Sequence, residues 1–80
     1  MTMSKAEARA FVAETIPRYP KVKKEMVAKA STLDRIPFMA EYLRQWAHVQ
    51  RHLKRPDLGK DDAKVILAQG WLMVQKGLLK

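Results

Sequence analysis

Apolar and polar positions recur with helical spacing along most of this chain. They are densest between residues 62 and 79, where Val65, Ile66, Leu67, Ala68, Trp71, Leu72, Met73 and Val74 crowd into one segment. At about 100° per residue these positions fall on nearly every side of a helix, whereas a surface helix shows one apolar stripe and one wet face. The pattern predicts a helix over about 61–76 that forms the buried axis of the fold. A membrane span needs roughly 20 apolar residues in a row. Lys64, Gln69, Gln75 and Lys76 interrupt this run, so no membrane span is expected.

Three further helices are predicted upstream. Ser4-Lys5-Ala6-Glu7 has the spacing of a capping box, in which each side chain satisfies a backbone donor left free at a helix start. A first helix over about 4–16 follows, with Ala8, Phe11, Val12, Thr15 and Ile16 on one face. Pro17 stops it, because proline lacks the backbone donor and disfavours a helical residue before it. A second helix, about 20–30, stacks Val22, Met26 and Ala30 and carries Lys21, Lys23, Lys24 and Lys29. Ser31, Thr32 and Asp34 are all capable caps for a third helix over about 35–54. Its apolar arc holds Phe38, Met39, Tyr42, Leu43, Trp46, Val49 and Leu53, and its opposite arc collects Arg44, His48, Arg51, His52 and Arg55.

The stretch Arg55-Pro56-Asp57-Leu58-Gly59 reads as a turn, after which Asp61 or Asp62 is placed to cap the fourth helix. Gly70 lies within that helix, at a cost of about 1 kcal/mol relative to alanine, which suggests a close helix crossing. Gly77 suits the left-handed residue that ends a helix, with Leu78 placed to touch Met73. Four short helices joined by short turns make a compact all-α bundle, with residues 1–80 as one helical domain. No alternating apolar run suggests a strand.

Composition sharpens this picture at three points. The chain has 80 residues, 48% of them hydrophobic. That is enough for a core, at a size where self-association is a common supplement. A homo-oligomer, with a dimer favoured, is expected through Ile66, Gly70, Trp71 and Met73. Sixteen Lys and Arg stand against eight Asp and Glu, a net charge of +8, which attracts anionic partners. No cysteine is present, so thiol chemistry and cysteine-bound metal are excluded. The first residues run into a helix pattern without the apolar core of a signal peptide, and a cytoplasmic, intracellular protein is the expectation.

Catalysis finds no constellation. Ser4 and Ser31 are absorbed by helix starts and neither lies in a nucleophile elbow, while Gly59-Lys60-Asp61 lacks the glycine run and hydroxyl of a phosphate loop. A non-enzymatic protein without a cofactor is expected. His48 and His52 have the one-turn spacing at which two imidazoles share a metal. No third ligand is evident, and Arg44, Arg51 and Arg55 surround the pair with charge that repels a cation, so no metal is expected.

The basic arc of the third helix is the strongest functional feature. Arginines on one side of a rod whose other side is anchored in the core are well placed to contact phosphates. A charged outer arc is also what any amphipathic helix shows; here it is nearly all of one sign. The expected activity is regulatory or accessory binding of nucleic acid, DNA ahead of RNA, through Arg44, His48, Arg51, His52 and Arg55. Arg18, Lys21, Lys23 and Lys24 would supply a second basic band. The competing expectation is a protein-interaction module that docks on an acidic or apolar partner surface. A helix-turn-helix fits poorly, because Ile36-Pro37-Phe38-Met39 opens the third helix with apolar residues where base-reading groups are needed.

Overall fold

A computed structural model of the chain describes residues 2–80. It contains α1 (Lys5–Glu14), a 3-10 turn (Ile16–Arg18), α2 (Pro20–Thr32), α3 (Arg35–Arg44), α4 (Trp46–His52) and α5 (Lys60–Gln75). Among the described residues the fold is all-α, with five α-helices where the sequence pattern predicts four. The capping box is formed as expected. Glu7 N–H donates to Ser4 Oγ at 3.1 Å, and Ser4 N–H donates to Glu7 Oε1 at 3.0 Å. That backbone donor, joined by the Ser4 hydroxyl, holds the Glu7 carboxyl below its ordinary value.

The apolar axis is confirmed. α5 packs against α1, α2 and α3, and Ile66 and Leu67 are fully buried in one cluster that draws on all the helices. Gly70 accommodates a side chain rather than a crossing backbone: a Cβ added there would meet Met26 Sδ at 3.1 Å. Ile66, Gly70 and Met73, on which self-association was expected, are buried within the chain's own core. Trp71 is half-buried, and its indole N–H donates to the carbonyl oxygen of Leu33 at 3.0 Å.

The predicted third helix is broken at Gln45. There Gln45 N–H donates to Tyr42 O and His48 N–H to Gln45 O, three-residue spacings that tighten the turn. Neither proline nor glycine marks the position. A straight helix of 20 residues would be about 30 Å long, and the molecule measures only 28 × 23 × 21 Å. Across the interruption at Gln45, Trp46, Val49 and Leu53 stay on the core. The expected apolar arc therefore survives the break, with Phe38, Tyr42, Trp46, Val49 and Leu53 all buried.

Other ends also differ from expectation. Ser31 and Thr32 extend α2: their hydroxyls donate back to Val27 O at 2.7 Å and to Ala28 O at 3.3 Å. Asp34 holds the N-cap position of α3 without a capping side-chain bond. Gly59 is the N-cap residue of α5, and Asp61 and Asp62 lie in its first turn, where the helix dipole favours negative charge. Asp62 Oδ1 accepts from Met3 N–H at 2.7 Å and ties the chain start to the axis. Beyond α5, Gly77 has φ +73°, and Leu78 N–H donates to Met73 O at 2.8 Å, the backbone closure expected of a left-handed helix end. The buried side chain is Leu79, whereas Leu78 is 65% exposed.

Candidate nucleic-acid interface

The N-terminal half of α2 and the outer side of α4 lie together. Arg18, Tyr19, Pro20, Lys21 and His52 line one depression of about 430 Å³. His48, Arg51 and His52 line a second. Between the helices is a cavity of about 280 Å³ bordered by Lys21, Val22, Glu25, Tyr42, His48, Val49 and His52. Lys21 and His52 each recur in two or more of these hollows, so they form one continuous basic face. Glu25 is its only acid among the residues lining them.

Local structure explains this placement. Pro17 and Pro20 compress the link between α1 and α2 into a 3-10 turn whose closing residue, Tyr19, is half-buried. Its hydroxyl donates to Leu53 O at 3.2 Å, which ties the turn to the end of α4 and brings Arg18 and Lys21 beside His52. His48 and His52 stand one turn apart on α4, with ring centroids separated by 6.0 Å. Among the described residues no group of three or more His, Cys, Asp or Glu side chains is placed to hold a metal ion.

The other expected site residues are divided. Arg44 is exposed and is held by Glu41 at 2.7 Å, while Glu41 also accepts from Lys29 and Gln45. Arg55 lies beyond the end of α4 and so does not continue its ridge. It grips Asp57 through two bonds of 2.9 and 3.0 Å and sits 5.7 Å from the centre of the Phe11 ring. Its bond to Asp57 raises the Arg55 guanidinium above its ordinary value and lowers the Asp57 carboxyl below its own. Among the described residues, Arg51, Arg18 and Lys21 have no acidic partner within ion-pair distance. Lys23 and Lys24 face elsewhere, along a shallow groove with Pro17, Pro20, Val27, Ala28 and Lys80.

Two lining residues escaped the sequence pattern. Glu25 is the single acid of the lysine-rich α2, and Tyr42 belonged to an apolar arc. The hydroxyl of Tyr42 was the available signal, since a buried polar atom needs a partner. Tyr42 is 2% exposed, and its hydroxyl is the one buried side-chain polar atom among the described residues without a hydrogen-bond partner. Burial, reinforced by Glu25 and Glu41, pushes this phenol well above the ordinary tyrosine value, so it remains protonated, a donor, at neutral pH.

No protein-family model, curated protein or solved structure matches this chain.

Proposed function

We propose that this protein binds nucleic acid through phosphate contacts made by the basic face of α2 and α4. The observation that carries the proposal is the convergence of Arg18, Lys21, His48, Arg51 and His52 on adjoining hollows, with Arg18, Lys21 and Arg51 in no ion pair among the described residues. Cations already paired must exchange one partner for another on binding, whereas unpaired ones gain a phosphate directly. Phosphate contact releases counterions, so affinity falls with salt by about 0.9 log unit per log unit for each phosphate neutralised on a duplex. Arg44 and Arg55, held by Glu41 and Asp57, contribute less than Arg51 and Lys21.

The test is fluorescence anisotropy with a labelled mixed-sequence duplex and a single strand across a salt series. Wild type is compared with Lys21→Glu/Arg51→Glu and with Lys60→Glu/Lys64→Glu, which removes the same charge at the start of α5. Micromolar-scale binding at low salt, with a slope shallower by about two phosphates in the first variant and a smaller loss in the second, supports the proposal. Absence of low-salt binding by the folded protein, or equal losses in both variants, overturns it.

Docking of an acidic, partly apolar protein segment is supported by a different observation, the groove floored by Pro17, Pro20, Val27 and Ala28 with Lys23, Lys24 and Lys80 beside it. Lys23→Glu/Lys24→Glu separates the two: it would abolish such docking while affecting the phosphate contacts less than Lys21→Glu/Arg51→Glu.

A further inference from the structure

One aromatic side chain lies within the basic face, and phosphate contact alone gives it no role. Tyr19 lines the depression of about 430 Å³ together with Arg18, Pro20, Lys21 and His52. Its hydroxyl donates to Leu53 O at 3.2 Å, and its backbone N–H donates to Ile16 O at 2.9 Å. The side chain therefore reaches from the 3-10 turn to the end of α4 and is held at both ends. The depression has the turn on one side and His52 on the other, so the ring that crosses between them forms its floor. Tyr19 is half-buried, whereas Phe11, Phe38, Tyr42 and Trp46 are buried in the core.

The chemistry of this hollow is mixed. Arg18, Lys21 and His52 are exposed, and Arg18 and Lys21 enter no ion pair among the described residues. Yet the surface between these cations is more apolar than polar. A phosphate by itself would leave that surface wet, while a flat ring carried by a phosphate would cover it. An aromatic floor beside cations is the composition of single-strand binding surfaces, where bases stack on rings and the charges follow the backbone.

Resting on the phosphate-binding reading above, we propose that this hollow receives one unpaired base of a single strand, stacked on the Tyr19 ring. Arg18, Lys21 and His52 meet the phosphates beside it. Stacking tolerates sequence, because every base has a π-face. A volume of about 430 Å³ falls within the roughly 300–1,000 Å³ range of ligand pockets. The platform is set before binding: Pro20 restricts the backbone at Tyr19, and the hydroxyl is already bonded, so little ordering accompanies the stack. A duplex keeps its bases paired and stacked and can offer this face only its phosphates.

Equal-length phosphodiester strands, one wholly abasic and the others carrying a single central thymine, cytosine or adenine, test this at low salt and neutral pH. The strands carry the same backbone charge, so differences among them report the base. One base should raise affinity about tenfold over the abasic strand, and the three bases should agree within about threefold. Tyr19→Leu should bring the ratio of base-bearing to abasic affinity to about one. Tyr19→Phe keeps the ring and loses only the bond to Leu53, so it should retain most of that ratio while unfolding at a lower temperature. The wild type gives a second readout by nuclear magnetic resonance: the Tyr19 ring protons should shift upfield with a base-bearing strand and not with the abasic one, because a stacked base shields them. This readout stands whether or not Tyr19→Leu folds.

Equal affinity for abasic and base-bearing strands would overturn the base site while leaving the phosphate face standing. Binding of no strand at low salt would overturn both. Thymidine monophosphate bound as tightly as the thymine strand would reassign the hollow to a free nucleotide and overturn the single-strand form of the proposal. A gain that survives Tyr19→Leu, or Tyr19 resonances that stay in place, would put the base elsewhere and overturn the assignment to this hollow.

Discussion

The indole N–H of Trp46 donates to the carbonyl oxygen of Leu58 at 2.7 Å, with both residues buried. This bond joins the first turn of α4 to the connection leading into α5, so the loop around Pro56 is anchored from the core side. Trp71 performs the same service for the α2–α3 connection by donating to Leu33 O. Both tryptophans therefore fill volume and hold a turn carbonyl that would otherwise be left without a partner.

Trp46→Phe should cost about 3 kcal/mol, combining lost volume in the core with an unpartnered carbonyl at Leu58. Urea unfolding followed by circular dichroism reads this as a lower midpoint with an unchanged slope. A loss below about 0.5 kcal/mol would show that the loop is held by its other contacts.

The Arg55–Asp57 pair sets a pH dependence on the acid side. The Arg55 hydrogen bonds hold the Asp57 carboxyl below its ordinary value of 3.8. An acid depressed in the folded state binds protons more readily when unfolded, so its contribution is fully present above the ordinary value. It is lost as pH falls below that value through the folded one. The contribution of Glu7, depressed by the Ser4 backbone donor, is lost in the same direction below its own ordinary value of 4.5. Asp57→Asn should consequently lose less stability than wild type between about pH 5 and about pH 2. Both pairs are exposed and screened, so the difference should shrink in high salt. Urea midpoints across that range test the sign, and parallel profiles for the two proteins would contradict it.

Local features of this fold were readable from sequence, and features set by long-range packing were not. The capping box at Ser4 and Glu7 depends on residues three apart, and the left-handed end at Gly77 depends on the residue itself. The all-round apolar pattern of α5 announced that several elements must cover it. The interruption at Gln45 carried no local signal, since neither proline nor glycine stands there. Gly70 was correctly marked as a tight position, but its neighbour is Met26, which only tertiary packing supplies. At the site, the sequence pattern offered Arg18 and Lys21 only as a second basic band, and the hollows they share with His52 come from the packing of α2 beside α4. A continuous helical wheel wrongly carried Arg55 onto the same rod, because the helix ends at His52. Arg55 instead turns around Pro56 to meet Asp57.

Lys54 ends α4 with φ +57°, a left-handed conformation in which glycine is the usual residue. Arg55 N–H donates to Gln50 O and Lys54 N–H to Arg51 O, at 3.1 Å each, so the helix end is closed around a strained lysine. Relieving that strain with Lys54→Gly should stabilise the protein by about 1 kcal/mol. Lys54 also lines a hollow with Gln50, Arg51 and Pro56, beside the arginine central to the proposed phosphate face. The same substitution should therefore weaken low-salt binding to a duplex, with a slope shallower by about one phosphate if Lys54 reaches the backbone. Lys54→Asn should repeat both effects, since asparagine tolerates the left-handed region better than lysine and also lacks the charge. Greater stability in both variants with unchanged binding would confine Lys54 to a structural role. Greater stability with weaker binding would mark a charge retained at the expense of backbone strain, a trade found where function competes with stability.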